Sequence, residues 1–310
     1  MAQSATRGRP LKVGIQLPEV ERPASWRDLL KMAQTAEAVG LDSIWVADHL
    51  LYRDDNHTED VAPWEAWSML AALAATTDRI EIGPLVACTA FHNPAMLAKK
   101  AETVDEISGG RLILGLGAGW NAPEFAAYGY PFDHRLGRFT ESFAVIRGLL
   151  REGRVDFNGT YVSAPDCVLT PRGPRPNGPP IWLGTNGDQM LRLCAAHADG
   201  WNAWYEWFGN DVARLPELLT RVDAVCADVG RDPKTLERSV AVLVQFPDLP
   251  GVTKYASAGA PPIVGSPEVI AEVLRSCATL GVSHAQLVLD PNTTEAIEAM
   301  SPVLDLLDRG

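Results

Sequence analysis

The chain has 310 residues, of which 46% are hydrophobic and 21% charged, a composition typical of a soluble globular protein with a large core. Its net charge of −12 argues against binding to nucleic acid or to an anionic membrane surface. No apolar run is long enough to cross a bilayer, and the start MAQSATRGRP lacks the apolar core of a signal peptide, so we expect a cytoplasmic protein.

Strand and helix patterns alternate along the first half of the chain. Ser25 and Asp28 have the spacing of a capping box, and Gly40 is a typical helix-terminating glycine, so a helix is predicted between them. The other predicted helices here cover residues 63–77, 94–107 and 135–150, and the predicted strands cover 13–17, 43–47, 80–86 and 111–116.

The second half continues the alternation, with predicted strands over 181–183, 200–204, 239–245 and 284–289 and helices over 189–197, 211–229, 267–280 and 294–307. Eight strands, each followed by a helix, predict an α/β protein of the (β/α)₈ TIM-barrel class. A doubly wound sheet is disfavoured because strand one ends in Leu17-Pro18-Glu19 without a phosphate-binding loop. We expect one domain over residues 1–310, with a flexible N-terminus over residues 1–10.

One insertion, residues 154–180, interrupts the alternation. Its Asn158-Gly159 pair predicts a hairpin with a type I′ turn, whereas the Pro-rich remainder cannot form a helix or a central strand. Such loops are either lids or rims over a site, or plain surface excursions. We expect insertion loops at the C-terminal face of the barrel, and residues 246–265, rich in Pro and Gly, are a second candidate lid.

Reactive side chains of a barrel belong at the carboxyl ends of its strands. Strand two ends with Asp48 and His49, which can serve as a donor–acceptor pair on a cofactor ring or as a general acid. The alternative is a hydrogen-bonded pair that merely holds a loop. Trp120 follows strand four, and Trp201 and Trp204 belong to strand six. All three can wall a pocket for a flat ring, although isolated tryptophans are often rim or core residues.

The loop after strand five, Gly184-Thr185-Asn186-Gly187, is the best candidate phosphate site. It offers backbone N–H groups beside a helix N-terminus, where free donors and the helix dipole attract anions. A glycine-rich helix cap without a ligand would have the same sequence.

The sequence lacks the motifs of several other chemistries. The five cysteines include no CxxC pair, and the six histidines show no HxH or HExxH spacing, so we predict no metal site. GxSxG is absent, which excludes an α/β-hydrolase nucleophile elbow. The sequence GLGAGW follows strand four and differs from the dinucleotide-binding GxGxxG pattern.

Several stretches of the chain together resemble the bacterial luciferase-like superfamily, in its deazaflavin-dependent oxidoreductase branch. They run from residue 13 to about residue 204 and read VGIQLP, AEAVGLDSIWVADH, NPAMLAKKAETVDEISGGRLILGLGAGW, EFAAYGYPFDHRLGRFTES and PPIWLGTNGDQMLRLCAAHADGWN.

The resemblance implies a TIM barrel, often dimeric, that binds coenzyme F420 or, alternatively, reduced FMN in the barrel mouth. It places Asp48 and His49 beside the polar edge of the cofactor ring. The remaining residues that it assigns to cofactor binding are a bulge at Pro84, Leu85 and Val86, often with a non-prolyl cis peptide, then Gly117, Ala118, Gly119 and Asn121, and Gly184, Thr185, Asn186 and Gly187 at the phosphate.

One departure bears on the substrate. Deazaflavin-dependent sugar-phosphate dehydrogenases of this branch have a glutamate directly after the strand-four glycines, and this chain has Trp120 there. Glu124 lies one turn further on, at a different position, which speaks against that activity.

We therefore expect an oxidoreductase that transfers a hydride between coenzyme F420 and the C=C, C=N or C–OH group of a small organic substrate, with His49 as the first candidate acid and Asp48 as its catalytic neighbour. The alternatives are a reduced-FMN monooxygenase of the same fold and, from another class, a non-catalytic flavin-binding protein. A homodimer is the expectation of the family.

Overall fold

A computed structural model describes residues 8–53, 60–249, 251 and 259–309. Residues 1–7 of the predicted flexible N-terminus, and residues 250 and 252–258 of the second candidate lid, lie outside the described residues. Within those described, no helix is long and apolar enough to span a membrane.

The strands and helices follow the predicted alternation, and each of the eight predicted strands overlaps an observed one. The strands are β1 (Lys12–Gln16), β2 (Ser43–Val46), β3 (Glu81–Pro84), β4 (Ala87–Cys88), β5 (Leu114–Gly117), β6 (Arg154–Asn158), β7 (Ser163–Val168), β8 (Ile181–Gly184), β9 (Gly200–Ala203), β10 (Glu237–Gln245), β11 (Ile263–Val264) and β12 (His284–Leu289). The helices are α1 (Trp26–Val39), α2 (Ala66–Thr76), α3 (Pro94–Ser108), α4 (Ala122–Tyr128), α5 (Arg135–Glu152), α6 (Asp188–His197), α7 (Leu215–Asp228), α8 (Pro267–Thr279), α9 (Thr294–Glu298) and α10 (Ser301–Asp308).

The chain divides into two compact units. The first unit comprises residues 1–45, 79–81 and 184–310, and its strands pair in parallel as β2-β1-β12-β10-β9, with β11 beside the end of β10. The second unit comprises residues 46–78 and 82–183, and its strands β4, β5 and β8 also pair in parallel. Parallel strands joined through helices are the predicted βα pattern.

Local signals in the sequence set the ends of α1. The Ser25 hydroxyl accepts a hydrogen bond from the Asp28 backbone N–H at 3.2 Å, and the Asp28 carboxylate accepts one from the Ser25 N–H at 3.0 Å. Gly40 ends the helix in the left-handed conformation, with φ of 95°. The predicted capping box and terminal glycine are therefore confirmed.

The interior of the first unit is partly polar. The Trp45 Nε1–H donates to the Ser43 hydroxyl at 2.7 Å, and that hydroxyl lies 2.6 Å from Nε2 of His284. Burial lowers the pKa of His284 to about 3, so the ring is neutral and its Nε2 accepts from Ser43. A side chain at Gly14 would place its Cβ 1.9 Å from the Ser43 oxygen, so glycine leaves room for this network.

Three helix predictions were wrong in detail. The helix predicted over 211–229 begins only at Leu215, after a 3₁₀ turn over Val212–Arg214. The predicted helix over 294–307 is interrupted between α9 and α10, because Pro302 lies in the first turn of α10 and has no N–H to continue the ladder. The predicted start of the second helix at residue 63 moves to Ala66, where the Glu65 carboxylate accepts from Ser68 N–H at 2.7 Å and acts as the N-cap. The short helix α4 was not predicted.

The insertion contains the predicted hairpin, β6 paired antiparallel with β7, but its turn is not the predicted type I′. Four residues, 159–162, connect the strands, and neither Asn158 nor Gly159 has the positive φ that a type I′ turn requires. The carboxylate of Glu141 on α5 instead accepts the N–H groups of Thr160, Tyr161 and Val162 at 2.7–2.9 Å. A long-range contact therefore replaces the local turn preference.

The position of the insertion also differs from the prediction. Only the hairpin tip lies toward the C-terminal face, where Tyr161 lies so near the first turns of α5 that a Cβ added at Gly137 would come within 2.8 Å of its ring. The Pro-rich remainder lies at the opposite end, because Arg175 donates to the Leu112 carbonyl just before β5. This part is fixed to α3 through Arg172–Glu102 at 3.0 Å and Arg175–Asp105, which favours a fixed surface segment over a lid.

Candidate active site

Asp48, at the end of β2, is buried and holds two segments together. Its Oδ2 accepts from the Cys88 backbone N–H at 2.9 Å and lies 2.9 Å from Nε2 of His92. Both partners lie on the segment after β3, so the carboxylate fixes the chain between β4 and α3. Sequence analysis did not identify His92 as a site residue; its position directly before the Asn93–Pro94 helix start was the one available signal.

His49 has a different partner from Asp48. Its Nδ1 lies 2.9 Å from Oε1 of Glu124 on α4, and the Glu124 carboxylate also accepts the Leu50 N–H at 3.0 Å. Glu124 is 1% exposed and the His49 side chain 17% exposed. The carboxylate thus anchors one ring nitrogen from a buried position while the imidazole itself reaches solvent.

Two aromatic rings lie close to His49. The ring centroids of Tyr52 and Trp120 lie 4.5 Å and 5.6 Å from that of His49. Trp120 is 58% exposed, as a residue at the rim of a binding surface would be. Its predicted role in a substrate pocket stays a prediction.

Cys88, a cysteine near this site, is not poised for nucleophilic chemistry. Burial raises the pKa of the Cys88 thiol, and the negative charge of Asp48 raises it further. The thiol packs against Gly119, where an added Cβ would come within 2.6 Å of both the sulfur and the ring of Phe125. Gly119 is therefore a close-approach position with φ of 75°.

The predicted bulge is present between β3 and β4. The strand ends at Pro84 and pairing resumes at Ala87, and the peptide between Leu85 and Val86 is cis. The Leu85 N–H donates to the Val46 carbonyl at 2.8 Å, which ties the bulge to the end of β2. Gly115 of β5 packs beside the bulge, since a Cβ there would lie 2.3 Å from the Pro84 carbonyl oxygen.

The residues after β5 are held by polar contacts. The Gly117 carbonyl accepts from the Thr89 hydroxyl at 3.3 Å, and the Gly119 carbonyl accepts from Arg135 at 2.7 Å. Asn121 is buried and its amide donates to the Leu51 carbonyl at 2.9 Å. Its amide nitrogen is thus engaged in holding the segment after His49, and its predicted cofactor contact is untested. Ala118 is half-buried between these anchored residues.

The predicted phosphate segment, residues 184–187, belongs to the first unit. Gly187 is the N-cap of α6, and a Cβ there would meet nothing within 4 Å, so the backbone faces open space. Arg221 of α7 donates to the side-chain and backbone oxygens of Asn186, both at 2.8 Å, and also pairs with Asp188. A positive group that sequence reasoning missed therefore lies beside the segment.

The two other predicted pocket tryptophans also lie in the first unit. Trp201 is 1% exposed and its indole N–H donates to the Thr185 carbonyl at 2.8 Å. It is thus packed like a core residue and anchors the phosphate segment. Trp204 is half-buried, with its ring 4.6 Å from that of Tyr205. Neither contact tests a role in substrate binding.

The chain was compared with families and proteins of known identity. A family described as "Luciferase-like monooxygenase" matches residues 10–248. An F420-dependent glucose-6-phosphate dehydrogenase of Amycolatopsis mediterranei is 36% identical over 178 residues, which are 56% of this chain and 52% of that protein. The enzyme of the same name from Kineococcus radiotolerans is 30% identical over 254 residues, 79% of this chain and 71% of that protein. The match thus spans about half the length of the first relative.

A solved structure gives the fold. The coenzyme F420-dependent tetrahydromethanopterin reductase of Methanopyrus kandleri superimposes with a TM-score of 0.76 at 18% identity, over 94% of this chain and 97% of that one. At this identity the likeness concerns architecture alone, and it confirms the predicted (β/α)₈ barrel.

Proposed function

The chain belongs to the luciferase-like monooxygenase family, and from that premise we propose that it is an oxidoreductase that transfers a hydride between coenzyme F420 and a small organic substrate. Both sequence relatives described above are named F420-dependent dehydrogenases, which supports F420 over other redox cofactors. Their names do not transfer the substrate, because the first alignment spans only about half of that enzyme.

The observation that carries the proposal is the pairing of His49 with Glu124. A hydride transfer to a polar double bond needs a proton donor at the other atom, and a histidine suits this role near neutral pH. The Glu124 carboxylate lies 2.9 Å from Nδ1 and so fixes the orientation of the imidazole. Carboxylate-oriented histidines of this kind are a recurrent catalytic arrangement.

The residues present fit the phosphate-bearing tail of the cofactor. The segment 184–187 precedes α6, whose first backbone N–H groups and helix dipole favour an anion. Gly187 leaves open space on this backbone, and the Arg221 guanidinium adds a positive charge that offsets Asp188. Gly184, Thr185, Asn186 and Gly187 would thus hold the phosphate.

The residues of the second unit fit a flat ring. Leu85 and Val86 form the bulge against which the ring would rest, with Pro84 before it, and the backbone of Gly117, Ala118 and Gly119 lacks large side chains. When bound, the deazaflavin supplies the hydride at a ring carbon. Asp48 acts as a positioning residue for the Cys88–His92 segment, while Asn121 holds the backbone after His49.

The proposed hydride transfer takes place at a C=C, C=N or C–OH group of the substrate. Trp120, 58% exposed, stands where sugar-phosphate dehydrogenases of the branch have a glutamate. Glu124 does not replace that glutamate, because its carboxylate is buried and engaged with His49 and Leu50. We therefore favour a substrate other than a sugar phosphate.

A second candidate is a reduced-FMN monooxygenase, which the description of the matching family favours. A non-catalytic flavin-binding protein is a third, less favoured candidate, because a buried acid that orients a histidine serves proton transfer rather than storage. A homodimer and a cytoplasmic location complete the proposal.

The test is a fluorescence titration of the purified protein with reduced and oxidised F420 and, in parallel, with FMN. We expect F420 to bind with a low-micromolar dissociation constant and FMN to bind at least about tenfold more weakly. Tighter binding of FMN, with oxygen uptake on addition of substrate, would instead identify the monooxygenase. Binding of neither would contradict the assignment of the phosphate segment.

A further inference from the structure

The two residues that follow His49 lie beyond the end of β2, so their backbone N–H and C=O groups need partners outside that strand. The Leu50 N–H donates to Oε2 of Glu124 at 3.0 Å, and the Leu51 N–H donates to the same oxygen at 3.4 Å. The other oxygen of this carboxylate lies 2.9 Å from Nδ1 of His49. Glu124 therefore holds both backbone N–H groups as well as the imidazole.

The two carbonyl groups of the same segment have other partners. The Tyr128 hydroxyl donates to the Leu50 carbonyl at 3.2 Å, and the Asn121 amide nitrogen donates to the Leu51 carbonyl at 2.9 Å. Tyr128 is the last residue of α4 and Asn121 is its N-cap. All four backbone groups are thus bound by side chains of α4 or of its N-cap. We call the side chains of Asn121, Glu124 and Tyr128 the α4 clamp.

Helix α4 is itself anchored by packing. It has only seven residues, too few to be stable in isolation. The ring of Phe125 is buried, and its centroid lies 4.9 Å from that of Phe91 and 5.1 Å from that of Phe132. Phe125 belongs to one apolar cluster with Phe91 and Cys88, against which Leu50 also packs. The α4 clamp therefore projects from a fixed base.

The chain beyond Leu51 is also held, but by weaker contacts. The Tyr52 N–H donates to the Val61 carbonyl at 2.7 Å, and the Arg53 guanidinium donates to the Asp60 carboxylate at 2.7 and 2.6 Å. The Arg53–Asp60 ion pair is exposed, and exposed pairs add little stability. The position of residues 49–51 thus depends mainly on the α4 clamp.

We propose that Tyr128 and Asn121 are positioning residues for His49. By holding the two carbonyl groups that follow it, they fix the backbone from which the imidazole extends and keep Nδ1 beside Glu124. They act through His49 and transfer no proton themselves. For its consequence in catalysis, this inference rests on the proposed function, in which His49 is the proton donor.

Proton transfer is sensitive to such positioning. A proton donor must lie within about 3 Å of the atom that it protonates, and a displacement of about 1 Å can lower the rate about 100-fold. The Tyr128 hydrogen bond is exposed, so its loss should cost less than loss of the Asn121 hydrogen bond, which is partly buried. Removal of the Asn121 donor leaves the Leu51 carbonyl without this partner.

The first test observes His49 directly, in the full chain labelled with ¹⁵N-histidine and without cofactor. The ring ¹⁵N signals of His49 are identified by their loss in His49→Gln. We expect them to shift in Tyr128→Phe, which removes only the hydroxyl, and in Asn121→Asp, which keeps the shape and removes the N–H donor.

The matched controls are Tyr130→Phe and Asn158→Asp. Tyr130 belongs to the same unit and packs against Phe91, and Asn158 is exposed on β6. Both controls should leave the His49 signals unchanged. Tyr128→Phe, at an exposed position, decides the question should Asn121→Asp fail to fold.

The second test is kinetic, with F420 and the best substrate from a panel of imines and enones. We expect kcat to fall by about two- to tenfold in Tyr128→Phe and by about tenfold or more in Asn121→Asp. The KM for the substrate and the affinity for F420 should stay at the wild-type level. In a His49→Gln background neither change should cost further kcat, because residues that act as a unit are non-additive.

His49 signals that stay unchanged in both variants, or that shift equally in the controls, would overturn the proposal. So would losses of kcat that persist in the His49→Gln background. Weaker F420 binding in Asn121→Asp with unchanged His49 signals would overturn it in favour of a direct cofactor contact. Absence of F420 binding in the wild-type protein would contradict the proposed function instead, because the ¹⁵N signals are recorded without cofactor and judge the α4 clamp independently.

Discussion

The Glu124 carboxylate lies 2.9 Å from Nδ1 of His49, a residue 75 positions earlier in the chain. The same carboxylate accepts the N–H of Leu50, so one buried acid fixes both the imidazole and the backbone that follows it. A ring held at Nδ1 cannot rotate freely, which leaves Nε2 in a defined direction. His49 and Glu124 therefore form one structural unit.

Replacement of His49 tests the assigned proton donor. We expect His49→Gln to reduce kcat by about 10²-fold, because glutamine cannot give up a proton. F420 affinity should stay at the wild-type level. Steady-state F420 oxidation with the best substrate from a panel of imines and enones measures the first quantity, and fluorescence titration the second. An unchanged kcat would remove His49 from the mechanism.

Glu124→Gln tests the coupling between the two residues. We expect kcat to fall by about tenfold or more through loss of the charge that orients and supports the imidazole. In a His49→Gln background the same change should cost no further kcat, since residues that act as a unit are non-additive. Glu106→Gln, at an exposed position of α3, is the control. Fully additive losses would show that Glu124 acts independently of His49.

The sequence predicts these features to very different extents. Ser25, Asp28 and Gly40 predict the ends of α1 because all the atoms involved lie within a few residues of each other. His49–Glu124 could not be predicted, because the pair forms only after β2 and α4 have been brought together by the fold. The resemblance indicated His49, yet the motif that marks an acid in relatives put it at the position of Trp120.

Local sequence preferences also gave wrong predictions where a residue distant in the sequence makes the deciding contact. Asn158-Gly159 is a strong type I′ signal, but Glu141 supplies three hydrogen bonds to the following backbone and selects a longer loop. Asp48 and His49 were grouped because they are adjacent, and the structure gives them separate partners on separate elements. Adjacency in the sequence therefore does not imply a shared partner in the segment after β2.

Arg221 tests the phosphate segment. We expect Arg221→Ala to weaken F420 binding by about tenfold at low ionic strength, because its guanidinium both orders Asn186 and offsets the charge of Asp188. The loss should shrink as salt is added. Arg192→Ala, which breaks an exposed ion pair of α6 with Asp228, should have no effect on this affinity. Equal losses of F420 affinity in both variants would show that the overall charge of the protein, and not a contact at residues 184–187, determines this affinity.

Gly119→Ala and Gly129→Ala separate two energetic costs of replacing a glycine, backbone strain and steric overlap. Both residues have φ of 75°, so both substitutions carry the strain of an L-residue in the left-handed region, about 1 kcal/mol. Only at Gly119 does the new Cβ meet other atoms, Cys88 Sγ and the Phe125 ring at 2.6 Å. We expect a further loss of about 1–3 kcal/mol there, measured by urea unfolding. Equal losses of unfolding free energy would mean that the residues around Gly119 move to accommodate the new Cβ.

Glu21 gives the stability a pH dependence. A carboxyl group whose pKa is raised in the folded state destabilises the fold above that value and has no effect below the pKa of the unfolded chain, near 4.5. The contribution of Glu21 to the stability of the wild-type protein should thus become unfavourable as the pH rises from about 4 through the raised pKa. Glu21→Gln should increase Tm near pH 8 and leave it unchanged near pH 4, in thermal melts with Glu206→Gln as control. A Tm increase of equal size at both pH values would contradict this assignment.

Helix α3 connects two parts of the second unit that are far apart in the sequence. Its N-cap, Asn93, directly follows His92, the partner of Asp48, and its Glu102 and Asp105 hold the Pro-rich part of the insertion. The insertion and α3 are therefore coupled, because a change at Arg172 or Arg175 removes the ion-pair partner of a buried acid on α3. Attempts to graft this loop between homologues should carry the acids of α3 with it.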